Sequence, residues 1–465
     1  MTTAGTKVCI IGAGCSGITT AKRLKEHGID YDQLELSDDV GGNWYFRNPN
    51  GRSAVYESLH IDTSKTRLQF EDFPVPEEWP DFPSHRLMHD YFRDYVDHFG
   101  LRDKIEFGVG VESAVRRPDG GWDVTLSTGE TRSYTDLAVA NGHHWKPRLP
   151  DWAVDPDFDG VVLHSHGYVS PFEPVEIRGK TVIVVGMGNS AMDIAAELSS
   201  PWMAEKLYVS ARRGVWVLPK YRNGQPADKV MAPPDIPKDV ALAASRELIR
   251  GLVGSMSDYG LPEPDHEPLA AHPSVSADFL TKAGSGDIHM LPEIASLSGR
   301  TVTLVDGSTV EADVVICATG YEMSFPFFSS DDVALHPDSE HRYPLFKRMI
   351  KPGVDHLFFM GLAQSSPTIV NLAEQQSKLL ARLLDGTYAL PSVEDQERIM
   401  RADEAFHLEQ YYAAPRHTIQ IDFGRYCVDL MKEIEAGEAR APKSRTKSTR
   451  QATAARQPTT PESVS

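Results

Sequence analysis

Two stretches of this sequence share one pattern, in which a short apolar run is followed by a glycine-rich turn and then by helix-forming residues. They are "TKVCIIGAGCSGITTAKRL" at residues 6–24 and "TVIVVGMGNSAMDIAAELSS" at residues 181–200. A buried strand that enters a helix through closely spaced glycines is typical of dinucleotide-binding units. Since 465 residues are too many for one hydrophobic core, the two units predict an α/β fold with two Rossmann-like domains.

The first glycine turn is followed by an acidic residue at the place where a second strand should end. Gly12, Gly14 and Gly17 form the GxGxxG pattern, and Glu35 lies 23 residues after Gly12. A carboxylate at this place accepts hydrogen bonds from ribose hydroxyls and repels a 2′-phosphate. The first site is therefore predicted to bind FAD or NAD.

The second glycine turn is followed by basic residues instead. Gly186, Gly188 and Ala191 form the pattern, and Arg212 lies 26 residues after Gly186. A guanidinium group at this place binds a 2′-phosphate through charge-assisted hydrogen bonds, which predicts NADP as the second nucleotide. The alternative, in which Arg212 and the neighbouring Arg213 are only surface charges, stays open.

Two different nucleotides in one chain predict an electron relay, in which NADPH delivers a hydride and a flavin at the first site accepts it. A dithiol is excluded as the next acceptor, because Cys9, Cys15, Cys317 and Cys427 form no CxxC or CxxxxC pair. The same spacing predicts no metal site. Oxygen, a quinone or a protein carrier remain as acceptors.

Charge and hydropathy exclude two classes of partner. A formal net charge of -19 repels a phosphate backbone, so nucleic acid is not expected to bind. No run of about 18 apolar residues predicts a membrane span, and the first strand begins too early to leave room for a signal segment. We expect a cytoplasmic protein, with a homodimer as one option for its oligomeric state.

The order of the patterns predicts one domain inserted into another. The FAD-binding domain is expected at residues 1–169 and 302–435, and the NADPH-binding domain at the inserted residues 170–301. The remaining residues, 436–465, carry six basic and two acidic side chains and valine as their only large apolar residue. This composition predicts a disordered basic tail.

Between the two glycine turns, "FDGVVLHSHGY" matches the pattern FxGxxxHxxx(F/Y) at Phe158, Gly160, His164 and Tyr168. This pattern identifies flavin-containing monooxygenases, and the chain resembles that family up to about residue 430. Tyr168 is similar to the family's own pattern, whereas type I Baeyer–Villiger monooxygenases place tryptophan there. Further segments similar to the family are "SDDVGGNWYF", "GMGNSAMDIAAELS", "SARRGVW", "CATGY" and "GLAQ".

The resemblance implies FAD and NADPH as cofactors, and a small organic substrate and O2 as reactants. In that family NADPH reduces FAD, oxygen adds to the flavin C4a carbon, and retained NADP+ shields the resulting hydroperoxide until a substrate attacks it. Together with the glycine patterns it predicts these cofactor-binding residues: Gly12, Ala13, Gly14, Cys15, Ser16, Gly17, Glu35, Gly42, Asn43, Trp44, Asp62, Thr63, Gly186, Gly188, Asn189, Ser190, Ala191, Asp193, Ser210, Arg212, Arg213 and Gln364. His164 is expected to serve as a hinge or a structural hydrogen-bonding group.

Asp62, in "LHIDTSK", is the candidate catalytic residue and the clearest departure from the family, which usually has asparagine there. An ionised carboxylate accepts hydrogen bonds but donates none, so it cannot replace the amide fully. Type I Baeyer–Villiger enzymes carry aspartate in the corresponding region. Asp62 therefore either alters the oxygen chemistry or is a tolerated near-isostere.

These features predict an FAD- and NADPH-dependent monooxygenase that oxygenates a small organic molecule, most often at nitrogen or sulfur in this family. Three alternatives stay open: Baeyer–Villiger oxygenation of ketones, an NADPH oxidase that releases hydrogen peroxide, and a nucleotide sensor without chemistry. The substrate is not predicted. The aromatic residues Trp44, Tyr45, Phe46 and Trp79 are either pocket walls or core residues.

Overall fold

The computed structural model of the chain describes residues 5–229, 238–271, 274–329, 335, 343–366, 368–410 and 419–442. The helices are α1 (Cys15–Glu26), α2 (Lys65–Leu68), α3 (His85–His98), α4 (Asn189–Leu198), α5 (Lys238–Val253), α6 (Phe279–Gly284), α7 (Leu372–Leu384), α8 (Val393–Gln410) and α9 (Phe423–Arg440). The strands are β1 (Lys7–Ile11), β2 (Asp30–Glu35), β3 (Ile105–Phe107), β4 (Val111–Arg116), β5 (Trp122–Leu126), β6 (Thr131–Tyr134), β7 (Asp136–Val139), β8 (Lys146–Pro147), β9 (Val161–His164), β10 (Thr181–Val185), β11 (Lys206–Ser210), β12 (Val217–Leu218), β13 (Tyr221–Arg222), β14 (Gln225–Pro226), β15 (Ser274–Val275), β16 (His289–Leu291), β17 (Ile294–Ser298), β18 (Thr301–Leu304), β19 (Thr309–Glu311), β20 (Val314–Cys317), β21 (Tyr321–Glu322), β22 (Leu357–Phe359), β23 (Gln364–Ser366) and β24 (Gln420–Asp422).

The first parallel sheet has the strand order β22-β7-β1-β2-β3. Its central strand β1 reads KVCII and pairs in parallel with β2 and β7. A strand in a parallel sheet is covered on both faces, which is why β1 and β7 are apolar and buried over nearly their whole length. Helices α1 and α7 pack together beside this sheet, and β4, β5 and β6 form a small antiparallel sheet between β3 and β7 in sequence.

The second parallel sheet repeats this plan with the order β16-β11-β10-β20-β9. Its central strand β10 reads TVIVV and pairs in parallel with β11 and β20. Strands β17, β18 and β19 form an antiparallel sheet at the same point of the sequence order as β4, β5 and β6 in the first unit. The predicted class, an α/β fold with two Rossmann-like domains, is confirmed.

Sheet membership places the limits of the second domain outside the predicted range 170–301. Strand β9 precedes this range and β20 follows it, yet both belong to the second sheet. The second sheet is completed by β20, which pairs in parallel with β10 and follows the antiparallel strands β17–β19 in the sequence. The polypeptide returns to the first sheet at β22, which pairs with β7.

Two short strands connect the sheets, and one long helix closes the described chain. β8 and β21 pair antiparallel, and they belong to the two segments that pass between the sheets. Helix α9 continues to Arg440, so the predicted start of the tail at residue 436 falls inside a helix. The rest of that predicted tail, from residue 443, lies outside the described residues.

Across the described part of the chain, no helix has both the length and the apolar character that crossing a bilayer requires.

Candidate active site

The first glycine turn joins β1 to α1 and has no space for a side chain at two of its three glycines. Gly12 has a backbone φ of +103°, and a Cβ there would lie 2.7 Å from the carbonyl oxygen of Ala140. A Cβ on Gly17 would lie 2.0 Å from the carbonyl oxygen of Gly12. Glycine at both positions lets α1 pack this closely, with its unpaired first-turn N–H groups facing the space in front of the turn.

Glu35 ends β2 beside this turn, and the backbone holds its carboxylate in place. One carboxylate oxygen accepts a hydrogen bond from the Ala13 N–H at 2.6 Å and the other accepts one from the Ser37 N–H at 2.7 Å. Burial raises the pKa of Glu35, and the two backbone N–H groups and Arg52 oppose that shift. Each oxygen keeps a lone pair that a ribose hydroxyl can use.

A cavity of about 1250 Å³ lies in front of the first glycine turn. This volume exceeds the usual range of about 300–1,000 Å³ for sites of drug-sized ligands, so an extended dinucleotide fits. Gly14 and Gly42 face each other across its wall, where a Cβ on Gly42 would lie 3.0 Å from the Gly14 Cα. The predicted residues that line the cavity are Gly12, Gly14, Cys15, Ser16, Glu35, Gly42, Asn43, Trp44, Asp62, Thr63, Asn189 and Gln364. Ala13 and Gly17 are buried behind the wall.

Several polar residues of this wall were not predicted. Arg52 and Asn50 line the cavity near Glu35, and Arg52 also lies over the ring of Trp145, at 4.4 Å from its centroid. His143 and His144 line it just after β7, where burial lowers the pKa of His143. The two histidines could have been predicted, because they follow β7 and ligands bind at the carboxyl ends of parallel strands. No sequence pattern indicated the loop that holds Asn50 and Arg52.

The second glycine turn joins β10 to α4 with the same backbone geometry. Gly186 has a φ of +122°, and a Cβ there would lie 2.6 Å from the carbonyl oxygen of Ala318. A Cβ on Gly188 would meet no atom within 4 Å, so the turn is open on that side. Ala191 is buried against the strand, and Asn189, at the start of α4, reaches the shared cavity.

Arg212 and Arg213 follow β11 on the outside of the cavity. The Arg212 side chain is 74% exposed, and its Nε lies 3.8 Å from a carboxylate oxygen of Glu293. The Nε of Arg213 lies 3.7 Å from a carboxylate oxygen of Asp265. Contacts of this length on exposed side chains are weak, so a phosphate group can compete for the Arg212 guanidinium.

Two predicted cofactor-binding residues have side chains that hold protein segments together, and their contact with a cofactor stays a prediction. The Ser210 side chain is buried and donates a hydrogen bond to the Pro292 carbonyl at 2.7 Å. Asp193 accepts a hydrogen bond from the Tyr56 hydroxyl at 2.6 Å, and burial raises its pKa to about 7. Neither residue lines the cavity, because β11 and α4 direct these side chains into protein contacts; Ser190 is half-buried and does not line it either.

Asp62 lies in the cavity wall, next to Thr63, with a basic residue of the second domain as its partner. The Lys220 Nζ lies 3.1 Å from one carboxylate oxygen of Asp62, and the two side chains are 13% and 19% exposed, respectively. Burial raises the pKa of Asp62, while the nearby ammonium group of Lys220 acts in the opposite direction. The sequence indicated the carboxylate but not this partner.

His164 and Tyr168 join protein segments and are not among the residues that line the cavity. The Nδ1 of His164 accepts a hydrogen bond from the His166 N–H at 3.0 Å, so its Nε2 donates to the Gly320 carbonyl at 3.0 Å. Burial lowers the pKa of His164 to about 4. The Tyr168 hydroxyl donates to a carboxylate oxygen of Glu197 at 2.7 Å.

Of the four aromatic residues considered for a pocket, Trp44 lines the cavity. The other three pack within the protein. Tyr45 stacks on His89 with ring centroids 4.6 Å apart, Phe46 lies 5.0 Å from the ring of His85, and Trp79 lies 6.5 Å from that of Tyr91.

Comparisons with known proteins agree with these features. The family model described as "FMO-like: Flavin-binding monooxygenase-like" matches residues 5–440. A relative named "Flavin-containing monooxygenase 5" from Rattus norvegicus is 32% identical over 450 residues, covering 92% of this chain and 82% of the relative. Another from the same organism, named dimethylaniline monooxygenase (N-oxide-forming) 2, is 33% identical over 457 residues, with 92% and 83% covered.

A solved structure titled as OTEMO in complex with FAD and NADP superposes on this chain with a TM-score of 0.72 at 18% identity. The superposition covers 92% of this chain and 98% of the other. At this identity the likeness shows a shared fold.

Proposed function

The chain belongs to the family of flavin-binding monooxygenase-like proteins, and from this premise we propose that it inserts one oxygen atom of O2 into a small organic substrate, at nitrogen or sulfur. The family consists of oxidoreductases that use NADPH and O2, so this chain is an enzyme of that class. We assign FAD to the first glycine turn and NADPH to the second.

The observation that carries this assignment is the opposite charge that follows two equivalent turns. Glu35 follows the first turn as a buried carboxylate with both oxygens held by backbone N–H groups. Arg212 follows the second turn as an exposed guanidinium. A carboxylate suits a free ribose and a guanidinium suits a 2′-phosphate, so one chain selects two different nucleotides.

The residues in front of the first turn fit FAD. Gly14 and Gly42 pack closely because neither has a side chain, so bare backbone lines the cavity beside the N-terminus of α1, which suits a pyrophosphate. Glu35 would accept hydrogen bonds from the adenosine ribose. Trp44, Thr63 and the late strand residue Gln364 line the remainder of the cavity, where the flavin ring would lie.

The chemistry that bound FAD supplies is acceptance of a hydride from NADPH and activation of O2. The chain's own residues bind, orient and exclude water. Residues of both domains wall the same cavity, including Asn189 and Lys220 of the second domain and Asp62 of the first. A nucleotide that enters from the second turn would therefore meet the FAD side within the same cavity, which suits a hydride transfer.

The name of the relative that forms N-oxides of dimethylaniline supports oxygenation at nitrogen, and sulfur is a soft nucleophile of the same kind. Baeyer–Villiger oxygenation of a ketone is the second candidate, because Asp62 resembles the aspartate that type I enzymes carry in this region. The cytoplasmic location and the homodimer remain predictions from the sequence.

A panel of tertiary amines, thioethers and ketones tests the proposal. For each compound, NADPH consumption, oxygenated product and hydrogen peroxide are measured in parallel. We expect amines or thioethers to stimulate NADPH consumption and to give N-oxides or sulfoxides. Esters or lactones as the only products would favour the second candidate, and hydrogen peroxide without any product would contradict both.

A further inference from the structure

A short hairpin of the second domain reaches across to the first domain at the cavity. We name residues 217–229, which contain β12, β13 and β14, the clasp hairpin. A carboxylate oxygen of its Asp228 accepts a hydrogen bond from the Ser64 N–H at 2.7 Å, and its Tyr221 hydroxyl lies 3.3 Å from a carboxylate oxygen of Asp81. The clasp hairpin is therefore attached to the first domain at more than one point.

We single out the contact that Lys220 makes, because Lys220 and its partner Asp62 both line the cavity. Its Nζ lies 3.1 Å from Asp62 and 5.4 Å from the centroid of the Phe82 ring. Another lysine of the hairpin, Lys229, pairs with Asp81 at 3.3 Å, but its side chain is more exposed and does not line the cavity. Lys220 thus makes a buried contact between the domains, and Lys229 makes a more exposed one that can serve as its control.

The charges around Lys220 show why a cation is needed there. Asp62 and Asp193 are both largely buried, and the charge of Asp62 raises the pKa of Asp193; Tyr56 donates a hydrogen bond to Asp193, and Glu197 on α4 adds further negative charge. Lys220 lowers the pKa of both aspartates. Without its ammonium group, two carboxylates would share a low-dielectric site, and the pKa of Asp193, which is about 7 with Lys220 present, would rise further.

We propose that Lys220 is a positioning residue, which holds the Asp62 carboxylate at the cavity wall and ties the second domain to the FAD side of the site. The inference rests on the proposed function, in that Asp62 is taken to lie where FAD and NADP meet. The wall carries a neutral pair, with one partner from each domain.

The test compares Lys220→Met with Lys229→Met and with the conservative Lys220→Arg, all purified with FAD bound. The visible spectrum of the bound flavin is recorded against pH without NADPH or substrate, because the ring reports nearby charge. The pKa of Asp193 is about 7 with Lys220 present, so we expect a spectral transition in the neutral pH range in the wild-type protein, and Lys220→Met should move this transition to higher pH. The transition should stay at the wild-type pH in Lys229→Met and Lys220→Arg, and adding Asp62→Asn to Lys220→Met should move it back toward lower pH.

NADP+ affinity gives the second measurement. Lys220→Met should weaken NADP+ binding about tenfold, since the hairpin loses its buried attachment, and Asp62→Asn alone should have a similar effect. The double variant should be no weaker than either single variant. Equal behaviour of Lys220→Met and Lys229→Met, or additive losses in the double variant, would overturn the role of Lys220.

The outcomes separate this inference from the proposed function. If Lys220→Met does not retain FAD, Asp62→Asn and the double variant still test the pair from the carboxylate side. A wild-type protein that binds FAD and NADP+ while its variants are indistinguishable would refute Lys220 alone. A wild-type protein that takes up no FAD would overturn both.

Discussion

The two glycine turns have the same backbone plan but differ in how they expose the residue that selects the nucleotide. The Gly12 N–H donates to the Leu34 carbonyl at 2.8 Å, and the Gly186 N–H donates to the Ser210 carbonyl at 2.9 Å. In each turn the first glycine has a positive φ and lies against the next parallel strand. The backbone therefore makes both sites competent for a dinucleotide and does not decide which one binds.

The selecting residues differ in burial as well as in charge. Glu35 is buried and bonded at both oxygens, whereas the Arg212 side chain is 74% exposed with one loose ionic contact. A rigid, enclosed partner suits a cofactor that stays bound, and an exposed one suits a nucleotide that binds and leaves in each cycle. We infer that this difference separates the resident FAD from the exchanging NADPH.

The largest expected effect comes from exchanging the third residues of the two turns. Gly17→Ala places a Cβ 2.0 Å from the Gly12 carbonyl oxygen, so the protein should lose bound FAD and about 2–3 kcal/mol of unfolding free energy. Ala191→Gly removes a methyl group from α4 and should cost about 1 kcal/mol with FAD retained. FAD content and denaturant unfolding check both variants. Normal FAD content in Gly17→Ala would show that the first turn tolerates alanine at its third position, as the second turn does.

A smaller, selective effect is expected at the nucleotide of the second turn. Arg212→Ala removes a charge-assisted contact with the 2′-phosphate, which is worth roughly 1.5–3 kcal/mol, or about ten- to a hundredfold in discrimination. The Michaelis constant for NADPH should rise while that for NADH barely changes. Arg178→Ala serves as the control, since Arg178 is an exposed arginine that pairs with Glu176 and is not among the predicted cofactor-binding residues. Equal losses for both nucleotides in Arg212→Ala would remove it from this role.

An effect confined to acidic pH is expected at the link between the two regions, where burial lowers the pKa of His164 to about 4. The pKa of this histidine in the unfolded chain is about 6.5. Below that pH the unfolded chain binds a proton at His164 and the folded chain does not, so the free energy of unfolding falls as the pH falls toward 4. His164→Asn should reduce the slope of the unfolding free energy against pH by up to the equivalent of one bound proton. Denaturant unfolding between neutral and acidic pH measures it, with the exposed His289→Asn as control. An unchanged slope of unfolding free energy against pH would show that His164 does not cause this pH dependence.

Much of this comparison could be read from the sequence, because it depends on local spacing. The glycine patterns and the charges of Glu35 and Arg212 lie within one strand–turn–helix–strand unit each, where the position along the chain determines the position in space. The two-sheet fold followed from the same units.

The remaining features depend on contacts between distant segments. Lys220 lies in "VWVLPKYRNG", which has no recognisable pattern, and it meets Asp62 only because the two domains pack together. Asp193 and Ser210 fit the family's pattern by position, yet their side chains are used by Tyr56 and Pro292. The pairing of β9 with β20 is of the same kind, since β9 joins the second sheet from before the glycine turn.

Anaerobic reduction of the purified protein tests the central claim most directly, namely that one chain holds two different nucleotides and passes electrons between them. The visible flavin absorbance is followed after adding one equivalent of NADPH or of NADH in the absence of oxygen. The account predicts one FAD per chain, bleached rapidly by NADPH and much more slowly by NADH, with the colour restored when air is admitted. A protein that holds FAD but is not bleached by NADPH, or one bleached equally fast by both nucleotides, would contradict it.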